Sequence, residues 1–411
     1  MRGGIHMRAR FIRRRQLAVV VVGALIALPS VFGTPSMAAS TKSSAGQPTS
    51  QAEAWGTNAV GQLGIGTLGE TATWPTAVTV AAPHTVRSVS AGFSHGLALL
   101  SNGTVKAWGS NEYGQLGDGT ETSRPIPGSV AGLSDVKAVA AGGDFSVALL
   151  HDGTLRAWGF NFSGELGDGT TANRSLPVRV EGLPGRVTAI AAGANFVLAL
   201  LANGTVVAWG DNFDGQLGQG QADSQPHPVP LAVRLPQRPT SIGAGAFHSL
   251  AVLADGSVRG WGLNVSGQLG IGDRVSPQPS PVAVVGLTGV RVKSVDGGFG
   301  HTLALLTNGR VKAWGSNEAG QLGDGTNTRQ LVPVDVLGLS GVTAVSAGED
   351  GSAASGHSLA ITRGNVMAWG QNNRGQLGIG GSGSVNRAQA VTTGLQPTRS
   401  ISGGLAFSLA S

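Results

Sequence analysis

Residues 107–120 read AWGSNEYGQLGDGT, and variants of this phrase recur seven times along the 411-residue chain. Each copy has a small residue, then Trp-Gly-x-Asn, then a close of the Gly-Gln-Leu-Gly type. The tryptophans that mark the copies are Trp55, Trp108, Trp158, Trp209, Trp261, Trp314 and Trp369. Their spacing of fifty to fifty-five residues indicates a repeat protein, in which each unit is one supersecondary element that buries its apolar face against its neighbours.

Apolar runs and turn signals predict four short strands in each unit. In the unit around Trp108 the runs are residues 86–91, 95–100 and 105–108, and Asn102-Gly103 separates the last two. Asn-Gly between apolar runs favours a tight β-hairpin, because both central residues of a type I′ turn have positive φ. Stretches of the Pro-Val-x-Val type, such as residues 177–180 and 333–336, predict the fourth strand. Four antiparallel strands in each of seven units predict an all-β, seven-bladed β-propeller.

The two ends of the repeat region complement each other, which predicts a closed ring. The last unit covers residues 401–411 and stops where other units have their hairpin turn, whereas the first begins just after that turn, at Gln51. Kept apart, the two halves would leave unpaired strand edges, which a closed ring avoids. The sequence therefore predicts a propeller over residues 51–411 whose last blade has three C-terminal strands and one N-terminal strand.

The first 50 residues differ in composition from the repeats. Arginines crowd the segment up to Arg15, residues 17–32 are apolar, and Ser36-Met37-Ala38 has the small-x-small pattern of a signal-peptidase site. Residues 1–38 are predicted to be a secretory signal peptide, with the Sec and twin-arginine routes both open, and residues 39–50 a flexible leader. The alternative is a membrane anchor, although the apolar run is shorter than the roughly 20 residues that span a bilayer. The predicted location is extracellular.

Charge and cysteine content limit the classes of partner. The chain has 28 Lys and Arg against 22 Asp and Glu, but six arginines lie in residues 1–38, which leaves 22 residues of each sign. Binding to a phosphate backbone requires a surplus of cations on one face. The balanced composition predicts no such surplus, and hence no nucleic-acid partner and no membrane contact after cleavage. The absence of cysteine excludes disulfides and thiolate metal sites.

The unit pattern AWGxNxxGQLGxGT, preceded by VxAGxxHSLAL, resembles the regulator of chromosome condensation repeat family over residues 51–411. The resemblance implies a seven-bladed propeller sealed by both termini, and with the leader it suggests a secreted bacterial member. The founding members of that family are exchange factors for a small Ras-like nuclear GTPase and sit on nucleosomes, whereas many relatives are interaction modules. Because a fold does not carry a function by itself, guanine nucleotide exchange stays an alternative.

The residues that recur in every unit have structural explanations. Each Trp is predicted to lie in the core between blades, with its indole N–H on a carbonyl oxygen. Histidine recurs at one position of the unit, in His95, His248, His301 and His357. The equivalent residues of three other units are Phe145, Phe196 and Phe407. Phenylalanine cannot ligate a metal, so the pattern favours packing over a metal ring.

No catalytic, cofactor-binding or metal-ligating residue is predicted. The acids Asp118, Asp168 and Asp324 align with isoleucine or glutamine in the other units, and no calcium-loop, nucleophile-elbow or zinc-helix motif occurs. An enzyme acting on the cell envelope or on polysaccharides remains the alternative, and its site would have to be assembled from single residues of several blades.

Four aromatic residues are the candidate partner-binding site. Tyr113, Phe160, Phe162 and Phe213 occupy the variable positions of the loops after Trp-Gly in three consecutive units. Adjacent blades would place them on one sector of one face, although aromatic side chains tucked under neighbouring turns are an equal alternative. The sequence therefore predicts a monomeric, secreted, non-enzymatic interaction module that binds another extracellular or cell-envelope protein or a glycan.

Overall fold

The computed structural model describes residues 51–69, 73–80, 85–395 and 397–411. The predicted signal peptide, residues 1–38, and the predicted leader, residues 39–50, lie outside the described residues. Within the described ranges the secondary structure consists of 28 β-strands joined by turns and loops. No helix in these ranges is long and apolar enough to cross a membrane.

The strands are short, mostly five or six residues, and are numbered β1 to β28 in chain order. They are Ala52–Thr57, Thr73–Val80, Val86–Ala91, His95–Leu100, Val105–Gly109, Arg124–Ser129, Val136–Ala141, Phe145–Leu150, Leu155–Gly159, Arg174–Arg179, Val187–Ala192, Phe196–Leu201, Val206–Gly210, His227–Val233, Pro239–Ala244, His248–Leu253, Val258–Gly262, Gln278–Ala283, Val292–Gly297, His301–Leu306, Val311–Gly315, Gln330–Asp335, Val342–Gly348, His357–Thr362, Asn365–Gly370, Val385–Ala390, Ile401–Gly403 and Phe407–Ala410.

These strands form seven sheets of four antiparallel strands, which confirms the predicted seven-bladed propeller. Blades 1 to 6 each use four consecutive strands, from β3–β6 in blade 1 to β23–β26 in blade 6, and blade 7 consists of β27, β28, β1 and β2. The first strand of every blade lines the central axis, and the fourth is the outer edge.

The strand directions give the ring two different faces. In blade 1, the turn after β3 and the loop after Trp108 lie at one end of the sheet. The Asn102-Gly103 hairpin and the connection to blade 2 lie at the other end. We name these ends, for all seven blades, the loop face and the hairpin face. Gly103 has φ 76°, but Asn102 is not among the residues with positive φ, so the hairpin is present and its turn is not the predicted type I′.

The outer strands begin earlier than the Pro-Val-x-Val pattern predicts. Strand β10 starts at Arg174 and not at Pro177, and its pairing with β9 shifts register between Arg174 and Val178. A proline without an N–H is tolerated there, because the strand is the free edge of its blade.

Blade 7 closes the ring, as expected, but with a different division of strands. Strand β1 pairs with β28 on one side and with β2 on the other, and Trp55 lies opposite Ser408. The prediction of three C-terminal strands and one N-terminal strand was wrong, since each terminus contributes two. In every blade the outer strand follows the Trp-Gly loop in sequence, so Thr73–Val80 belongs to the same blade as Trp55.

Candidate functional site

The loops of the loop face are held by the residues that recur in every unit. In blade 1 the buried Asn111 accepts the Leu116 N–H with Oδ1 at 2.8 Å, and its Nδ2 donates to the Thr120 carbonyl at 3.0 Å. The Gln115 Oε1 accepts the N–H of Tyr113 at 2.9 Å. The equivalent asparagines are buried in all seven loops. The frame is therefore fixed, and the residues between the frame positions are the ones that vary.

Three of the four candidate aromatic residues form one cluster on this frame. The rings of Tyr113 and Phe160 meet edge to face with their centroids 5.0 Å apart, and Phe160 stacks on Phe162 at 6.1 Å. Tyr113 and Phe160 are partly buried, whereas Phe162 is 74% exposed. The cluster therefore joins blades 1 and 2, with a supported base and an exposed outer ring.

Phe213 lies in the next loop along, in blade 3. Its side chain is 42% exposed, and its N–H donates to the Asp211 Oδ1 at 3.4 Å. The structure therefore places all four residues on the loop face of consecutive blades, and it brings the rings of Tyr113, Phe160 and Phe162 into contact.

A hydrogen-bonded network fastens each blade to the next beneath the loops. The Gln115 carbonyl of blade 1 accepts the Trp158 indole N–H of blade 2 at 2.9 Å, and it also accepts the Ser146 hydroxyl at 2.9 Å. Ser146 Oγ lies 3.0 Å from His95 Nε2. Because the hydroxyl hydrogen is already committed to the carbonyl, the imidazole is the donor in this pair. The seven tryptophans that mark the repeats each donate their indole N–H to a carbonyl of the neighbouring blade.

The network confirms that the recurring Trp and His are packing residues. The seven tryptophans that mark the repeats are fully buried. Burial lowers the pKa of His95 to about 4 and that of His248 to about 3, so both rings are neutral at pH 7. Across the residues that the structure describes, no group of three or more His, Cys, Asp or Glu side chains could hold a metal ion.

Residues 49–410 match the sequence profile of the RCC1-like domain. The chain belongs to this family. Ultraviolet-B receptor UVR8 of Arabidopsis thaliana is 36% identical over 201 residues, which cover 48% of this chain and 44% of that protein. Protein pim1 of Schizosaccharomyces pombe is 34% identical over 217 residues, 47% of this chain and 39% of its own length. The chain thus spans less than half the length of these curated relatives.

Solved RCC1-like structures have the same fold. Prp20p of Saccharomyces cerevisiae superposes with a TM-score of 0.79 at 22% identity, covering 89% of this chain and 92% of that one. Human WBSCR16 gives a TM-score of 0.77 at 23% identity, covering 88% of this chain and 98% of its own. At such identities the likeness concerns the fold, and the resemblance drawn from the repeat pattern is confirmed.

The charges of this RCC1-like domain are sorted between its two faces. By strand position, most acids lie in the half of the ring nearer the loop face: Glu112, Asp118, Glu121, Asp144, Glu165, Asp168, Asp211, Asp214, Asp223, Asp273, Asp296, Glu318, Asp324, Glu349 and Asp350. Most cations lie in the half nearer the hairpin face: Arg87, Lys106, Lys137, Arg156, Arg179, Arg186, Arg234, Arg238, Arg259, Arg291, Lys293, Arg310, Lys312, Arg363 and Arg399.

Each of these sets holds fifteen of the 21 residues of its sign among the described residues. The expectation that no face carries a cation surplus was therefore wrong. Composition reports only the sum of the charges, and the sum conceals an acidic loop face and a basic hairpin face.

Glu165 is an acid in a position that six other loops fill with glutamine. Its Oε2 accepts the Ser163 N–H at 2.8 Å, and its Oε1 accepts the Asn195 Nδ2 at 3.0 Å. Burial raises the pKa of Glu165 to about 7, and nearby Asp211 adds to the rise. The loop that carries Phe162 therefore rests on a carboxyl group that titrates near neutrality.

An axial cavity of about 270 Å³ lies between the inner strands of the blades. Small residues form most of its wall, but Asp296 and Glu349 also line it. The Asp296 Oδ2 accepts the Ala347 N–H at 2.9 Å, the role that the Ser90 hydroxyl has for Ala141 between blades 1 and 2. Both carboxyls are only partly exposed and are otherwise surrounded by protein. Burial raises the pKa of Asp296 to about 6 and that of Glu349 to about 8.

Glu349 begins a turn that sequence reasoning did not single out. Residues 349–356 join β23 to β24, where blade 1 needs only residues 92–94 between β3 and β4. The longer turn packs across the loop face, since its Ala354 carbonyl accepts the Gln321 Nε2 at 3.1 Å. Aligning the Gly-to-His spacing of the units would have revealed it, because eight residues separate Gly348 from His357 and two separate Gly92 from His95.

Proposed function

We propose that this RCC1-like propeller is an exported interaction module whose loop face binds a protein partner through the aromatic cluster of Tyr113, Phe160 and Phe162. The observation that carries the proposal is Phe162, which is 74% exposed while stacked on a supported ring. Aromatic anchors held in one place dominate binding energy at protein interfaces. Because the loop frame fixes the backbone, little conformational entropy is lost on binding.

The charges around the cluster indicate the chemistry of the partner. Glu112 is exposed beside Tyr113, and Asp144 and Asp211 are partly exposed in neighbouring loops. A complementary partner would present apolar side chains flanked by Lys or Arg. This favours a basic protein surface over a neutral glycan. Prp20p, which has the same fold, has binding properties toward Gsp1p and histones and has been solved bound to Kap60.

The test is capture of a partner by the purified protein and by the double variant Phe162→Ala with Phe213→Ala. These two side chains are the exposed ones, whereas truncating Tyr113 or Phe160 would also disturb packing. Loss of one central aromatic anchor costs about 2 kcal/mol of binding, so partner retention should fall at least thirtyfold, with an unchanged melting temperature. The matched control is Leu176→Ala, which removes a side chain 50% exposed on the outer edge of blade 2.

Retention equal to that of the parent in the double variant would refute the assignment of the surface. A partner released by soluble oligosaccharide would show a glycan-binding module, and turnover of a polysaccharide by the purified protein would show an enzyme. Either result would replace the proposal of a protein partner.

Export is the second part of the proposal, and it is supported by the arginine-rich start, the apolar run and the small-x-small pattern ending at Ala38. The intact mass of protein recovered outside the cell should correspond to a chain that begins at Ala39. A form that retains residues 17–32 and sediments with membranes would show an anchor instead.

A further inference from the structure

The basic hairpin face presents its cations at one level around the ring. Arg186, Arg238 and Arg291 stand at equivalent positions, each just before or at the start of the inner strand of its blade, and all three are exposed. Each packs beside the hairpin glycine of the preceding blade, Gly153, Gly204 or Gly256. The hairpins all lie at the same end of their sheets, so these arginines are held in one plane around the axis.

Local acids neutralise only part of this charge. Asp335 lies 3.3 Å from Arg310 and 3.2 Å from Lys312, and Glu181 lies 3.9 Å from Arg179. No described ion pair engages Arg186, Arg238 or Arg291. Arg186 does donate from Nη2 to the His151 carbonyl at 3.1 Å, which orients the guanidinium, and nearby Asp152 offsets part of its charge. The hairpin half nevertheless holds fifteen described cations against six acids. The face therefore keeps a net positive charge.

Aromatic residues are absent from the same face. Among the described residues, every Phe and Tyr belongs to a turn, a loop or a strand end on the loop-face side. Binding of single-stranded nucleic acid relies on aromatic stacking as well as on charge, and that component is lacking here. A ring of cations in one plane instead complements a planar anionic surface.

We infer that the hairpin face docks on anionic phospholipid bilayers. Each Lys or Arg close to such a surface contributes about 1 kcal/mol, and the attraction falls off within a Debye length. The acidic loop face is repelled by the same surface, so docking would leave the aromatic cluster facing solution. This surface is separate from the one proposed for a protein partner, and either assignment can fail without the other.

The test measures binding to vesicles of phosphatidylglycerol with phosphatidylcholine, and to vesicles of phosphatidylcholine alone. The protein used begins at Thr49, because the unit from Thr49 to Ser411 closes its own ring and the apolar residues 17–32 would bind lipid by themselves. The triple variant Arg186→Gln, Arg238→Gln and Arg291→Gln should bind anionic vesicles about a hundredfold more weakly, since three cations are lost. The parent should leave neutral vesicles unbound and dissociate from anionic ones at high salt.

The matched control removes three cations from the opposite face, with Arg274→Gln, Arg374→Gln and Arg387→Gln. Net charge changes equally in both variants, so only the position of the loss differs. We expect the control to bind within about twofold of the parent, with both variants melting as the parent does. Equal losses in the two variants would show a net-charge effect and overturn the inference. Binding to duplex DNA but not to anionic vesicles, abolished by the first variant, would overturn it in favour of nucleic acid.

Discussion

One main-chain carbonyl at each blade junction accepts the indole N–H of the next blade. At the junction of blades 2 and 3, the Glu165 carbonyl accepts the Trp209 indole N–H at 2.9 Å, and the Trp209 side chain is fully buried in the core between them. Trp209 thus supplies both apolar area and the donor for a buried acceptor. We expect the two contributions to be separable by mutation.

Replacing Trp209 by Ala should lower the free energy of unfolding by about 3 to 5 kcal/mol, because it leaves a large cavity and an unpaired carbonyl. Trp209→Phe keeps most of the volume and loses the donor, so its cost should be smaller, about 1 to 3 kcal/mol. Chemical denaturation of both variants measures the difference. An unchanged midpoint for Trp209→Ala would contradict the core assignment.

Glu165 should make stability depend on pH. The folded-state pKa is about 7, above the ordinary value near 4.5, so the folded protein retains a proton that the unfolded chain has lost. The contribution of this carboxyl to stability is then greatest below pH 4.5, falls as pH rises to about 7, and is level above that. Glu165→Gln should remove this fall, and above pH 7 the variant should be more stable than the parent by on the order of 3 kcal/mol.

The check is the free energy of unfolding of parent and variant at several pH values between 4 and 8. The reciprocal control is Gln115→Glu, which places a carboxyl beside Asp144 in blade 1, where Gln115 Nε2 lies 3.3 Å from Asp144 Oδ1. That variant should acquire a comparable loss between the same pH values. Parallel curves for the parent and Glu165→Gln would show that the carboxyl ionises as freely when folded as when unfolded.

At the scale of strands and loops, the sequence predicts what is local and periodic. Strands β3 and β4 lie where the apolar runs of blade 1 predicted them, and the Asn-Gly signal correctly located the hairpin between β4 and β5. The turn type was wrong, because Gly103 has positive φ and Asn102 does not. The division of blade 7 was not predicted correctly, because it depends on which end supplies the outer strand. Contacts between rings, such as Phe160 on Phe162, depend on side-chain rotamers, which a repeat pattern does not specify.

The charge of each face could not be predicted from composition either. Net charge is a sum over the sequence, whereas the field at a surface depends on where each charge lies in the blade. Knowing the strand directions, a reader of the sequence could have assigned Arg238 to the hairpin face and Glu112 to the loop face. That step requires the fold first, so the candidate surfaces follow from the architecture and not from composition.

At the scale of the whole molecule, the ring is closed without a covalent link, by the pairing of β1 with β28. Ser411 and Gln51 both lie on the hairpin face, at the ends of the paired strands β28 and β1. The pairing of Ala410 with Glu53 corresponds to that of Ala98 with Lys106 in blade 1, so Ser411 and Gln51 stand where Leu99 and Thr104 stand there. Linking Ser411 to Gln51 through the four residues Leu-Ser-Asn-Gly, the sequence of residues 100–103, would supply a hairpin of the same length and close the chain covalently.

Such a cyclised protein, made from residues 51–411, should unfold at a higher denaturant concentration than its linear form, because the link reduces the entropy of the unfolded chain. For a loop of this size the gain is a few kcal/mol, up to about 5. Deleting residues 401–411 should have the opposite effect, since it exposes the inner edge of β1 and the apolar sheet faces that blades 1 and 6 pack against β27 and β28. Denaturation of the linear, cyclised and truncated forms gives the comparison. If the truncated and linear forms unfold at the same denaturant concentration, blade 7 contributes nothing to the stability of the ring. If closure is cooperative, the truncation lowers the stability of all seven blades.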